Sequence, residues 1–191
     1  MDDFQKIGAL EKVGILDIET SALDAQYGYM ISACVKTVYK NNLQGPTWSV
    51  RIDDKRNPDK LSDKWVVEQL IKKMDEHALI ITWYGSRFDI PFINTRALYY
   101  RIKVPRKEFR RDLCFVARGI GKLKNNRLAT WGKFLFGKTG KTFLDFSIWL
   151  AAMRNDRKAI DYIVYHCEKD VLETEKIYKR FIPLLGKLRK R

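Results

Sequence analysis

The sequence predicts an α/β domain with a mixed sheet. Three strand-like segments stand close together near the start of the chain, a helix, a strand, a helix and a strand follow, and a helical C-terminal part completes it. Lys12 to Ile18 (KVGILDI) has the apolar run of a buried strand, and Tyr29 to Tyr39 forms a second, rich in β-branched residues. Trp48 to Ile52 alternates strictly behind the turn signal Gln44-Gly45-Pro46, which predicts a third strand paired to the second. The stretch Asn41 to Leu61 is otherwise loop-rich, with an expected mobile tip at Lys55-Arg56-Asn57-Pro58. Ser62 suits an N-cap, and Trp65, Val66, Leu70, Ile71 and Met74 recur at helical spacing, so a helix is expected over Leu61 to His77. Ala78 to Tyr84 reads as a fourth, buried strand. Asp89 to Ile102 reads as a helix with Pro91 in its first turn, and Phe109 to Leu113 as a fifth strand. From there the pattern is helical to Leu185, broken at Gly119-Ile120-Gly121, Lys124-Asn125-Asn126 and Gly137 to Thr142.

Composition bounds the function. The chain has 191 residues, 46% hydrophobic and 31% charged, which is enough apolar surface to exclude bulk disorder. One domain over 1–191 is expected, with a core over about 12–185 and a basic tail at 186–191. The longest apolar run, Ala78 to Tyr84, is far short of the ~20 residues of a membrane span. An acidic start at Met1-Asp2-Asp3 does not fit a secretory signal. Cys34, Cys114 and Cys167 are odd in number and widely spaced, against a disulfide framework or a zinc ribbon. A soluble, cytoplasmic protein is the expectation.

The formal charge is +14. Fourteen Lys and Arg fall between Arg96 and Lys141 against only Glu108 and Asp112, so this stretch alone carries +12. Lys187, Arg189, Lys190 and Arg191 add a second cluster. Such surfaces attract phosphate backbones through counterion release, and nucleic acid is favoured over acidic lipid or mere solubility as the reason. Tyr99, Tyr100, Phe115 and Trp131 interleave with the charges, which suits stacking on unpaired bases, although each also suits a core.

Four acids stand out. Asp17 and Glu19 close the first strand, and alternation puts both carboxylates on one face with Ile18 on the other. Paired carboxylates leaving a hydrophobic strand call for a cation, and Mg²⁺ or Mn²⁺ prefers such oxygen ligands. Asp89 lies at the turn after the fourth strand, where an N-cap is the plain structural reading. In the last helix Ile160, Ile163, Val164, Cys167, Val171, Tyr178 and Phe181 trace a buried stripe. His166 and Asp170 fall at the stripe's edge about 40° apart, with Tyr165 about 140° from Asp170. A histidine beside a metal site can orient or deprotonate a water.

Asp17-x-Glu19, Gly85-x-x-Phe88-Asp89-x-Pro91-Phe92 and His166-x-x-x-Asp170-Val171, in that order, resemble the DEDD 3′–5′ exonuclease superfamily. The similarity is closest to its ribonuclease H-like branch, which includes the proofreading domains of family B DNA polymerases, and covers roughly Val13 to Leu184. It implies a ribonuclease H-like five-stranded mixed sheet flanked by helices and removal of nucleotides from 3′ ends of DNA or RNA with two Mg²⁺ or Mn²⁺. By that resemblance Asp17 would bridge both ions, Glu19 and Asp170 would hold the nucleophile-side ion, and Asp89 would reach the other through water. Ions ~4 Å apart would clamp the attacking and leaving oxygens of an in-line hydrolysis. Two positions depart from the family. Its tyrosine subgroup has the helper residue four before the last Asp and its histidine subgroup five before, whereas here His166 is at four and Tyr165 at five. Tyr84 stands where Asn is frequent. Expected nucleic-acid contacts are Arg87, Phe88, Arg110, Arg111, Lys122, Lys124, Arg127, Lys138 and Lys141. Asp112 and Asp145 are read as structural acids.

Gly132 to Thr139 matches a nucleotide-binding P-loop pattern, but its interval Lys-Phe-Leu-Phe is bulky and follows a helix-like segment. A helix ending on a glycine explains it better, and no nucleotide triphosphate is expected. The rival functions are a structure-specific endonuclease of the same fold and a non-catalytic nucleic-acid-binding module.

Overall fold

β1 (Lys12–Thr20) is the central strand, and its alternating side chains divide the core. The computed structural model describes residues 12–39, 44–104 and 109–185; the basic tail 186–191 lies outside them. β2 (Met30–Tyr39) runs antiparallel to β1, and β3 (Gln44–Arg51) antiparallel to β2. On the other side β4 (Leu79–Thr82) and β5 (Phe109–Asp112) add in parallel, giving the order β3-β2-β1-β4-β5. The sheet is therefore mixed and five-stranded, as the sequence predicts.

Helix α1 (Lys64–Asp75) crosses from β3 to β4 and α2 (Asp89–Tyr99) from β4 to β5. After β5 come α3 (Leu113–Ile120), α4 (Leu128–Phe136), α5 (Phe146–Met153) and the 29-residue α6 (Arg157–Leu185). Leu16 and Ile18 of β1 face one cluster with Val66, Leu70 and Met74 of α1 and Ile93 of α2. Val13 and Ile15 face the other, built with Leu113, Trp131, Cys167, Val171 and Phe181. The predicted stripe of α6 is buried throughout, because a 3.6-residue period laid against a sheet keeps one face dry.

Several expectations change. β3 begins at Gln44, four residues before Trp48, so the Gly45-Pro46 pair is strand and not turn. It lies opposite a register shift between Lys36 and Val38 on an edge strand, where a bulge accommodates Gly and Pro. The tip at 55–58 is tied down: Asn57 is buried, and its Nδ2 donates to the Ile52 carbonyl at 2.7 Å. α1 is capped at Asp63, not Ser62, yet the Asp63 carboxylate ignores the helix. It accepts from the Met30 N–H at 2.8 Å, from the Arg96 guanidinium at 2.6 Å and from the Tyr100 hydroxyl at 2.7 Å. One break escapes the sequence, at Arg154–Asp156, where Asn155 adopts φ 64° and separates α5 from α6. The P-loop-like segment is the end of α4, with Gly137 left-handed at φ 74° as its cap.

Candidate active site

Where β1 outruns β4, its backbone loses a neighbour. The last β1–β4 pair is Ile15 with Ile81, so the Ile18 N–H has no β4 partner. The Asp89 carboxylate fills that place, accepting from Ile18 N at 3.1 Å. Asp89 is thus not the N-cap of α2, a position taken by Phe88; it is turned back onto β1 between Asp17 and Glu19. From the opposite side α6 brings Asp170 and His166, anchored by Cys167, whose thiol donates to the Asp17 carbonyl at 3.3 Å.

These residues meet at the floor of a groove of about 980 Å³ lined also by Trp83, Phe88, Arg118, Arg127 and Lys141. His166 Nε2 lies 3.7 Å from Glu19 Oε1 and 3.8 Å from Asp170 Oδ2, while its Nδ1 pairs with Thr142 Oγ1 at 2.5 Å. Tyr165 is 44% exposed and stacks outside the groove, tilted against Tyr162 and under the Lys169 ammonium. The helical geometry therefore brings His166, and not Tyr165, to the acids.

Burial, and then the charges of Glu19, Asp89 and Asp170, push Asp17 well above the usual carboxylate range. Burial and Asp170 do the same to Glu19. Asp89 is pushed up to about 7, chiefly by burial, although backbone N–H groups pull it the other way. Lys141 sits against Asp170; burial opposes its charge, but Asp170, Asp17 and Glu19 outweigh burial and raise its pKa. Burial holds the His166 imidazole below its ordinary value, against the pull of Asp170, so it is neutral at pH 7.

The donor set fits hard divalent cations. Asp17, Glu19 and Cys167 bring potential ligand atoms within 4.8 Å of one another, and Asp170 Oδ1 is buried without a hydrogen-bond partner. Burial and neighbouring carboxylates raise Asp17, Glu19 and Asp89, which a bound cation would offset, and carboxylate oxygens suit Mg²⁺ or Mn²⁺ over softer ions. The Cys167 thiol, raised by burial and committed to the Asp17 carbonyl, packs the floor and does not suit such an ion.

Of the sequence-predicted contacts, Phe88, Arg127 and Lys141 line the groove. Lys141 lies among the carboxylates, deeper than a surface phosphate contact. Arg87 lies at the rim, its guanidinium 5.8 Å from the Phe115 ring. Arg110 and Arg111 are on edge strand β5, Lys124 and Lys138 are exposed elsewhere, and Lys122 lines a separate groove with Phe134 and Arg180; none of the five lines the acidic one. Trp131 is core. Asp112 and Asp145 cap α3 and α5, accepting from the N–H groups of Cys114 and Ser147, both at 2.9 Å. Sequence reasoning missed Thr142, Trp83 and the placing of Arg118 beside Tyr84 at the rim. Thr142 could have been found only as a hydroxyl in a glycine-rich break, since its partner is 24 residues away.

A central strand ending in paired acids, a third acid after β4 and a fourth on the last helix thus converge on one groove floor. The RNase_H superfamily matches residues 15–182, and the chain belongs to that superfamily. Its fold is similar to the family B DNA polymerase from the hyperthermophilic archaeon Pyrobaculum calidifontis, with a TM-score of 0.72 at 15% identity over 91% of this chain. The chain spans 25% of that polymerase. No curated protein matches the sequence.

Proposed function

We propose that the chain is a metal-dependent 3′–5′ exonuclease that hydrolyses phosphodiester bonds of DNA or RNA. The observation that carries this reading is the convergence of Asp17, Glu19, Asp89 and Asp170, from three separate elements, beside a neutral His166 on one groove floor. These four carboxylates would hold two Mg²⁺ or Mn²⁺, which supply Lewis-acid charge for the developing oxyanions when bound. In this reading the Nδ1–H tautomer of His166 donates to the Thr142 hydroxyl and leaves the Nε2 lone pair between Glu19 and Asp170 to take the proton from an attacking water. Lys141 contributes positive charge beside Asp170, where a scissile phosphate would also be drawn. Arg118 and Arg127 line the groove through which the strand backbone reaches the floor.

The test is to incubate 5′-labelled single- and double-stranded DNA and RNA oligomers with Mg²⁺ or Mn²⁺ and to examine the product ladder. Stepwise shortening from the 3′ end is expected, with a closed circular strand left intact; cutting of the circle would make the protein an endonuclease. Asp17→Ala is expected to abolish hydrolysis and to keep oligomer binding. Cleavage retained in that variant would overturn the assignment.

A further inference from the structure

At the mouth of the groove two aromatic rings lie exposed and parallel. Tyr84, 46% exposed, and Phe115, 36% exposed, stack with centroids 6.0 Å apart and planes 21° apart. The Arg118 guanidinium lies 4.7 Å from the Phe115 centroid and 5.9 Å from that of Tyr84, and Arg87 lies over Phe115. Among the described residues neither arginine pairs with a carboxylate. The rings and the two guanidinium groups thus present one positively charged aromatic surface to solvent.

The arrangement is held from below by one side chain. Asp112 Oδ1 accepts from the N–H groups of Tyr84 and Cys114, both at 2.9 Å, and its Oδ2 accepts from Ser86 N at 3.0 Å and Ser86 Oγ at 2.6 Å. The same carboxylate thus caps α3, which carries Phe115 and Arg118 on one face at i and i+3, and fixes the turn that carries Tyr84. Tyr84 adopts φ 68°, a left-handed conformation a tyrosine rarely takes, and the Asp112 hydrogen bond holds it there. Both halves of the stack are therefore set before any ligand arrives.

Resting on the nuclease reading above, we propose that Tyr84, Phe115 and Arg118 form a stacking platform for an unpaired base, making the groove selective for a single strand over a duplex. Rings present a face to any base, and arginine adds attraction for both the base and its phosphate. A base inside a duplex is covered on both faces by its stacked neighbours and only the end pairs offer a face, so a duplex without ends gains nothing from the platform. Asp112 is a positioning residue for it.

The test scans a 12-nucleotide single strand with 2-aminopurine at successive positions, bound to the protein in EDTA so that nothing is cut. One or two positions are expected to be quenched by stacking on the wild-type protein. Tyr84→Asn, which suits a left-handed backbone but lacks the ring, and Phe115→Leu are each expected to remove that quench. Each is expected to weaken single-strand binding about tenfold, leaving the binding of a relaxed closed circular duplex unchanged. Tyr84→Phe is expected to restore both signals. Unaltered binding and quenching in the ring-deleting variants, or loss in Tyr84→Phe, would overturn the platform. Should either deletion fail to fold, the wild-type scan decides, because no quenched position also overturns it. The nuclease reading fails separately, through absent hydrolysis with Mg²⁺ or Mn²⁺ while the quench persists.

Discussion

His77 and His166, the two histidines of the chain, are both held neutral by burial, with opposite consequences. His166 faces the groove and has work for its lone pair. Its replacement, His166→Ala, is expected to slow single-turnover cleavage by about 10²-fold. Tyr165→Phe is expected to leave the rate unchanged, because that hydroxyl lies outside the groove; the reverse pattern would move the proton-accepting role to Tyr165. His77 is purely structural. Its Nδ1–H donates to the Lys73 carbonyl at 2.9 Å and its Nε2 accepts from the Thr37 hydroxyl at 3.0 Å, with Lys12, Lys73 and Glu76 the charges around it. Burial, the largest influence, lowers its pKa to about 4. The unfolded chain therefore takes up a proton near 6.5 that the fold refuses until about 4. Its contribution to stability is complete above the unfolded value and is lost as pH falls from about 6.5 to about 4. Urea unfolding across that interval is expected to lose of order 2 kcal/mol in the wild type relative to His77→Gln. Parallel pH curves for the two chains would show that His77 is protonated in the fold.

At the scale of elements, local period was legible and long-range pairing was not. β1, α1 and the buried stripe of α6 follow from spacing within a few residues, so their existence and faces were evident. The start of β3 was hidden because Gly45-Pro46 signals a turn unless a bulge on the neighbouring strand receives it. Asp89 looked like a helix cap and Asp63 stood unremarked beside the expected cap Ser62, and each has a partner 33 to 71 residues away that no window contains. The α4–α6 junction shows the same limit. Propensity alone says that Gly132→Ala should strengthen α4 by about 1 kcal/mol. In the fold, an added Cβ there would come within 1.9 Å of Glu173 Oε1, a buried carboxylate oxygen on α6. The substitution is therefore expected to destabilise by about 2 kcal/mol. Gly137→Ala meets open space but must keep φ 74°, and is expected to cost about 1 kcal/mol. Thermal melts of the two variants check the order; a Gly132→Ala protein that melts higher than wild type would mean that Glu173 is not packed against α4.

Across the whole molecule, a strongly basic chain encloses an acidic floor. The charge of +14 draws a polyanion, yet the groove ends in Asp17, Glu19, Asp89 and Asp170, which repel the phosphates drawn in. Among the described residues Lys141 is the cation seated with them, one ammonium facing four carboxylates, so the remaining charge is met by protons or by added cations. Divalent cations that bind only the folded chain must then stabilise it by mass action, by about 2.7 kcal/mol at a hundredfold excess over the dissociation constant. Protein stripped with EDTA is accordingly expected to melt lower, and Mg²⁺ or Mn²⁺ to raise the midpoint in a saturable way that NaCl of equal ionic strength does not reproduce. Asp17→Ala takes one carboxylate from the centre of the cluster, which relieves the repulsion and weakens the cation site together. That variant is expected to melt higher than wild type in EDTA and to respond least to Mn²⁺. Equal responses in the two chains would place the stabilising cation elsewhere on the molecule and leave the acidic floor without its counter-charge.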